Sequence, residues 1–471
     1  MKIKSIDLLL LFLICAFGII LRFYNHSFDD LWYDEVISFW ISNPKITLKE
    51  SFANHNLVEV STFTYHFLLK YYFQLFGYSV EAGRIFSSIF GSLAILSVSY
   101  LNWQIIKNRS FLFAAFLISL NIFLISFSQE MRMYSILFFF SSLSLIFFLK
   151  TLENNKILFF IAFLLSTSLI VLLHPFALIL VFSYLFFLSY LFFKSKKIFL
   201  NLIFSNFTIL IFSIFVYFYS FGEISANDRP EYFWMTNPNL KFYTNFYFSS
   251  FFGSRIMGLI FLFTFFYLIF CFLKKTKKFD SLKLFLIVIF LSYSLPLIFG
   301  YLFKPIMVNR YIIFILAPLI SFISVLIYEL DKNKKFFLII FLSILTFGNH
   351  FTEQTFKQFI KERVVSKPEY YKAIKYIHES DFDNFILKVR KMKSRDGTIK
   401  AIDHYISYLG KKNNFNIQLV NIDNKDIEYL WHLCLQDFNG KNCNVDNFNR
   451  DFEVIEKKLF NNIELKLIKL S

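Results

Sequence analysis

Charged residues are scarce in this chain. Only 17% of its 471 residues are Asp, Glu, Lys or Arg, against about 25% in an ordinary soluble domain. That leaves too little polar surface to coat a water-soluble globule of this length. Glycine and proline are few as well, at 12 and 8. Their scarcity speaks against a transporter or flippase, in which broken helices carry Gly or Pro at matching places of internal repeats. No repeat and no low-complexity linker is visible. There are four cysteines and no Cys-x-x-Cys. Gly-x-Gly-x-x-Gly, the Walker A motif and His-Glu-x-x-His are absent too, so nothing points to a directly bound nucleotide or a zinc centre.

What is present is apolar. Hydrophobic residues make up 56%, with 71 Phe, and the mean hydropathy is +0.54. A membrane-spanning helix needs about 20 largely apolar residues. Eleven such runs follow one another: 6–24, 83–106, 111–127, 133–149, 157–173, 176–193, 199–220, 254–273, 282–303, 311–328 and 336–350. The first is long enough to span and has no small-residue cleavage site behind it, so it is expected to be retained. The expected fold is mainly α, a polytopic transmembrane domain over 1–350 followed by a small α/β domain over 351–471.

Net charge is 49 − 33 = +16. The excess sits in short clusters between apolar runs rather than on one basic face, which speaks against a nucleic-acid partner. With the N-terminus inside, the inner connections are basic: Lys2 and Lys4; Lys107 and Arg109; Lys150 and Lys156; Lys194, Lys196 and Lys197; Lys274, Lys275, Lys277 and Lys278; Lys332, Lys334 and Lys335. The outer ones hold Asp29, Asp30, Asp34, Glu35, Glu50, Glu59, Glu81, Glu130, Glu223, Asp228 and Glu231. An odd number of spans then puts the tail outside the inner (plasma) membrane. The long first outer loop, 25–82, contains two apolar, aromatic stretches, 35–40 and 65–76, expected as short helices in the membrane interface.

The tail changes character, with 21 Lys and Arg against 17 Asp and Glu by count. Tyr371, Ile374 and Ile377 recur at helical spacing within 368–379, and 417–419 and 454–455 suit strands. On the extracytoplasmic side, Cys434 and Cys443 can pair as a disulfide or remain two thiols. Cys15 and Cys271 lie in apolar runs as small hydrophobes.

Ionisable residues at membrane depth are costly and point to function. Here they gather at the outer ends of helices. Leu31-Trp32-Tyr33-Asp34-Glu35 offers two acids beside aromatic bulk; the plain alternative is a helix N-terminus, where acids suit the dipole. Ser128-Gln129-Glu130-Met131-Arg132-Met133-Tyr134 puts a carboxylate, a guanidinium and a phenol into one tight turn. Arg suits phosphate, although a Glu130–Arg132 pair or a snorkelling Arg132 would serve as well. Arg84, His174-Pro175 and Asn309-Arg310-Tyr311 also fall on the outer side. Chemistry facing outward has no nucleotide-activated donor, so the donor is expected to arrive in the membrane.

These segments, in order, resemble the GT-C superfamily of membrane glycosyltransferases, of the type that includes dolichyl-phosphate-mannose protein mannosyltransferases and bacterial aminoarabinose transferases to lipid A. Residues 31–35 look like that family's Asp-Glu motif in the first outer loop. Leu75-Phe76-Gly77 with Glu81, Arg84 and Ser87-Ser88-Ile89-Phe90-Gly91 resembles its entry to the second span. Residues 128–135 resemble its third-to-fourth turn, and His174 and Arg310-Tyr311 fit later positions. The likeness covers roughly residues 5–330. It departs at 55–62, His-Asn-Leu-Val-Glu-Val-Ser-Thr, where bacterial members usually show a His-Pro-Pro-like stretch; Glu59 or His55 stands in for polar positions there.

The resemblance implies a polyprenyl-phosphate sugar donor, a lipid, glycan or protein acceptor, and inversion at the anomeric carbon. Asp34 would be the general base, and Glu35 would orient the acceptor or Asp34. Arg84, Arg132 and Arg310 would hold the donor phosphate. Tyr33, His55, Glu59, Glu130, Tyr134, His174 and Tyr311 would complete the substrate site. No cofactor or metal is called for, although Asp34, Glu35 and Glu59 offer oxygen ligands to a divalent ion. An O-antigen polymerase or ligase would also use outward Arg and His, without needing the acid pair.

Overall fold

The computed structural model describes residues 3–59, 61–154, 156–196, 198–222, 235–274, 280–352, 367–388, 395–420, 427–436, 443 and 452–470. Lys2, Lys197, Lys275, Lys277 and Lys278 of the basic side, and Glu223, Asp228 and Glu231 of the acidic side, lie outside the described residues.

Nine helices among the described residues are long and apolar enough to cross a membrane. They are α1 (Ser5–Phe23), α5 (Val80–Ile105), α8 (Tyr134–Glu153), α10 (Leu178–Ser195, extended by a 3-10 turn at Pro175–Ala177), α11 (Leu200–Gly222), α14 (Arg255–Lys274), α15 (Asp280–Leu302), α16 (Leu316–Tyr328, preceded by a 3-10 stretch Asn309–Ile315) and α17 (Lys332–Thr352). The third expected span is broken instead into α6 (Ser110–Ser119) and α7 (Ile122–Ser128), bent by 57°. The fifth, α9 (Ile157–Leu173), has 17 residues, about 26 Å of helix; α12 (Leu240–Asn245) and α13 (Phe248–Phe251) are short helices ahead of α14.

The break has a local cause. Asn121 caps α7, its Oδ1 accepting from Leu124 N at 2.9 Å. The carbonyls freed at the end of α6 cannot meet water at this depth. Buried Arg22 of α1 donates to Ile118 O at 2.9 Å and Ser119 O at 3.1 Å, and His350 Nε2 lies 2.6 Å from Leu120 O.

The ends of the helices sort into two groups. Arg109, entering α6, pairs with Asp7 at the start of α1 at 2.8 Å. At the opposite end, the His174 ring that closes α9 lies 6.3 Å from Tyr134, which opens α8. So α9 retraces the full depth of α8, although it is short.

The long loop between α1 and α5 holds α2 (Tyr33–Ile41), α3 (Leu48–Val58) and α4 (Thr64–Phe76). α4 exposes Phe67, Tyr71, Leu75 and Phe76, the aromatic surface an interfacial helix needs. α2 differs from the expectation of a helix lying on a surface. Residues 35–41 are all buried, because the C-terminal domain covers one side of the helix while α3, α4 and the helical bundle cover the rest. Phe39 stacks on Tyr78 at 4.1 Å and meets Tyr408 edge-on at 4.9 Å.

That domain is α/β. Its five-stranded sheet has the order β2-β1-β3-β5-β4. β1 (Asn384–Lys388) runs parallel to β2 (Gln418–Leu419) and β3 (Tyr429–Leu435), and β5 (Ile463–Leu470) is antiparallel to β3 and to β4 (Phe452–Phe460). Its helices are α18 (Tyr370–His378) and α19 (Arg395–Asn413). The buried stripe of α18 is Tyr370, Ala373, Ile374 and Ile377; Tyr371, expected on that stripe, faces out, one position off the packed face. Cys434 and Cys443 are bonded to each other, nine residues apart, with Cα atoms at 5.8 Å.

Polar contacts tie the domain to the first loop. Asp30 accepts from Tyr371 N at 2.8 Å and from the Tyr405 hydroxyl at 3.1 Å. Tyr33 and Thr398 hydroxyls lie 2.7 Å apart, and Lys412 donates to Glu81 at 2.9 Å. The loop and the domain therefore lie on one side of the helices, which requires an even number of passages between them.

Candidate active site

Trp32 and Glu35 begin the site as a helix start. The Glu35 carboxylate accepts from Trp32 N at 3.0 Å and caps α2. That fixes Asp34 and Glu35 in the first turn, facing different surroundings.

Glu35 is fully buried and saturated. Oε1 receives Arg84 Nε and Met131 N, each at 2.9 Å. Oε2 receives Arg84 Nη2 at 3.1 Å and Lys367 Nζ at 2.6 Å besides the Trp32 amide. Burial alone would push this carboxyl up, but Arg84 and Lys367 outweigh it and hold it well below the usual range. With no lone pair left open, Glu35 anchors α2 rather than touching an acceptor.

Arg84, expected to hold phosphate, is not open to a ligand. Its guanidinium is fully buried. Beyond Glu35, Nη1 donates to His26 O at 2.9 Å and Asp29 O at 2.8 Å, and Nη2 to Asp30 O at 3.0 Å. It pins the loop that carries the acid pair. A sequence cannot separate this use of an Arg from phosphate binding, because both need the same fork of donors.

Asp34 is the open acid. Its side chain is 23% exposed and faces Arg310 Nη2 at 3.4 Å. Arg132 closes the other side: its Nη1 donates to Asp34 O at 3.1 Å, Ser38 Oγ at 3.0 Å and Glu59 at 2.7 Å. The buried Arg132 Nε has no partner among the described residues. Arg310 lies over the rings of Tyr134 and Tyr311, at 5.9 and 5.8 Å from their centroids, and His174 packs against Tyr311 at 4.8 Å. His174 Nδ1 also caps the 3-10 turn through Phe176 N at 3.2 Å.

Glu130 stands between these groups. It makes no side-chain hydrogen bond among the described residues. Burial, reinforced by the charges of Glu35 and Asp34, pushes its carboxyl above the usual range despite Lys367 and Arg310. Glu130 does not pair with Arg132, which takes Glu59 instead.

Thus Asp34, Glu130, Arg132, Tyr134, His174, Arg310 and Tyr311 converge, with Glu59 behind Arg132. Tyr33 is engaged with the C-terminal domain through Thr398. His55 turns into its own loop, with Nε2 2.8 Å from Ser61 O and Nδ1 3.3 Å from His66 Nδ1. No group of three or more candidate metal ligands occurs among the described residues. Sequence reasoning missed Lys367 and the anchoring use of Asp30. Lys367 offers no signal of its own, since it lies 332 residues from Glu35.

The turn 128–132 reaches this site because α5 is thin where they meet. A Cβ on Gly83 would overlap Met131, and one on Gly91 would overlap Ser128. Gln129 then caps α1, its Nε2 donating to Leu21 O at 3.0 Å and Tyr24 O at 3.2 Å.

No family model and no curated protein matches the sequence. Solved structures do. ArnT from Cupriavidus metallidurans superposes over 98% of either chain, with a TM-score of 0.63 at 10% identity in the apo state. Bound to undecaprenyl phosphate, the same protein gives 0.61 at 10% identity. The archaeal oligosaccharyltransferase AglB from Archaeoglobus fulgidus, in complex with an inhibitory peptide and a dolichol-phosphate, gives 0.53 at 11% identity, over 91% of this chain and 69% of that one. At such identities the likeness speaks for the fold. It is the GT-C fold that the motif order led one to expect.

Proposed function

We propose that the protein is a glycosyltransferase that moves a sugar from a polyprenyl-phosphate carrier to an acceptor hydroxyl or phosphate on the outer face of the membrane. The observation that carries this reading is an open carboxylate, Asp34, flanked by two guanidiniums, Arg310 at its side chain and Arg132 at its backbone. The fold shared with two proteins solved with polyprenyl phosphates supports the donor class.

Asp34 takes the acceptor proton. The acceptor oxygen forms its bond to the anomeric carbon as the bond from that carbon to the phosphate oxygen breaks, and the configuration inverts. A base within hydrogen-bond reach serves the first event. The phosphate leaves with added negative charge in a poorly solvated site, where fixed cations stabilise it strongly. Arg310 and Arg132, whose Nε has no partner among the described residues, supply them. Arg84 takes no part in phosphate binding. Tyr134, His174 and Tyr311 form the wall beside Arg310.

Transfer by purified protein in lipid, from polyprenyl-phosphate hexose or pentose to envelope acceptors, tests this. Asp34→Asn should fold and lose transfer by on the order of 100-fold or more. Undiminished transfer by that variant rules the assignment out.

A further inference from the structure

The last described contact to Glu35 comes from outside the helical bundle. Lys367 lies just before α18, 332 residues further along the chain, and its Nζ reaches Glu35 Oε2 at 2.6 Å. Its side chain is only 13% exposed. The other four donors to Glu35 come from the cap of α2, from α5 and from the turn 128–132. Lys367 closes this set and joins the C-terminal domain to a carboxylate one residue from Asp34.

Charge gives the contact a second consequence. Two carboxylates, Glu35 and Glu130, stand beside Asp34. Asp34 and Glu35 face Glu130 from α2, Arg84 from α5, Arg310 from the 3-10 stretch and Lys367 from the C-terminal domain. Arg84 is engaged with Glu35 and the loop carbonyls, Arg132 with Glu59 and the Asp34 carbonyl, and Arg310 faces Asp34. Without Lys367 the cluster beside the base gains one uncompensated negative charge.

We propose that Lys367 is a positioning residue for transfer: it holds Glu35, and through α2 the Asp34 carboxylate, so that the C-terminal domain completes the active site instead of merely covering it. This rests on the reading of Asp34 as the base. A simple adhesive contact would stabilise the domain and leave the chemistry alone. A positioning contact changes the chemical step and its pH dependence.

The experiment uses full-length protein in lipid, a polyprenyl-phosphate hexose donor and an envelope extract as acceptor. Lys367→Met should lower kcat by roughly 10- to 100-fold, because small misplacements of a reacting group cost that much. The donor KM should stay within about twofold, since phosphate binding is left alone. The acidic limb of the kcat profile should move to higher pH, because a cation that favours the ionised neighbours is gone. Lys367→Arg should restore most of kcat and the wild-type limb. Should the methionine variant not fold, Lys367→Gln keeps a donor, removes the charge and carries the same pH test. Wild-type kcat and limb in the uncharged variants overturn the proposal, and so does equal loss in Lys367→Arg with an unmoved limb. A wild-type protein inert to every donor defeats the transferase reading by itself. Hydrogen exchange across residues 32–42 then decides on Lys367: faster exchange in Lys367→Met supports the anchor, and unchanged exchange overturns it.

Discussion

Asp34 and Glu35 are neighbours in the chain with opposite surroundings, and substitution separates them. Asp34→Asn is expected to melt near the wild type, because its carboxylate is part-exposed and faces one cation at 3.4 Å. Glu35→Gln is expected to cost about 3–5 kcal/mol of stability, read from thermal melts, because it leaves buried Arg84 and Lys367 short of an anion. The sign with pH follows. A carboxyl held below its unfolded value of about 4.3 contributes stability at neutral pH and loses it as pH falls. Wild-type melting should therefore drop on acidification below about pH 4, and Glu35→Gln should flatten that drop. Glu130 behaves in the opposite way. Its raised carboxyl costs stability as pH rises through its folded value, so Glu130→Gln should melt higher than the wild type at pH 8 and converge with it on acidification. At this scale the residue types were legible as a set of acids and arginines gathered at one set of helix ends. Which Arg binds substrate was not: Arg84, Arg132 and Arg310 differ only in which carbonyls and carboxylates surround them.

The elements were legible from apolar length, and the exceptions have polar causes. The bend between α6 and α7 depends on Asn121, and on Arg22 and His350 drawn from distant helices. An apolar run of the right length conceals such a break. The turn 128–132 depends in turn on bare backbone across from it. Gly91→Ala would force a methyl into Ser128 and is expected to cost about 1–3 kcal/mol, together with a loss of transfer as Arg132 shifts. A melt and a kinetic assay on one sample check both. Wild-type values in both would mean that α5 can move aside. In the tail, the helical period is visible, but the spacing puts Tyr371 on the stripe where the structure buries Tyr370. Neighbouring tyrosines are equivalent in a pattern and differ only in what covers them.

For the whole molecule, the C-terminal domain and the first loop act as one body. Asp30 is central to their contact, half-buried and bonded to Tyr371 and Tyr405. Tyr405→Phe removes one hydroxyl that serves both Asp30 and Leu31 N. It is expected to cost about 1–3 kcal/mol and to quicken hydrogen exchange in α2 and α19 together. Exchange that quickens in only one of them would show that they do not move as a unit. The contact also constrains the path of the chain, since loop and domain on one side require an even number of passages between them. With α6–α7 as one passage and α9 as another, that number is even.

Composition and apolar run length, on their own, determined a helical membrane protein with an α/β tail and acids at one set of helix ends. Lipid excludes charge and unpaired backbone wherever the chain lies, so these properties are local and readable in order. The roles of Arg84, Glu35 and Lys367 were decided only in three dimensions. A buried charge takes its meaning from the partners that compensate it, and here those partners come from α5, the turn 128–132 and a residue 332 positions away.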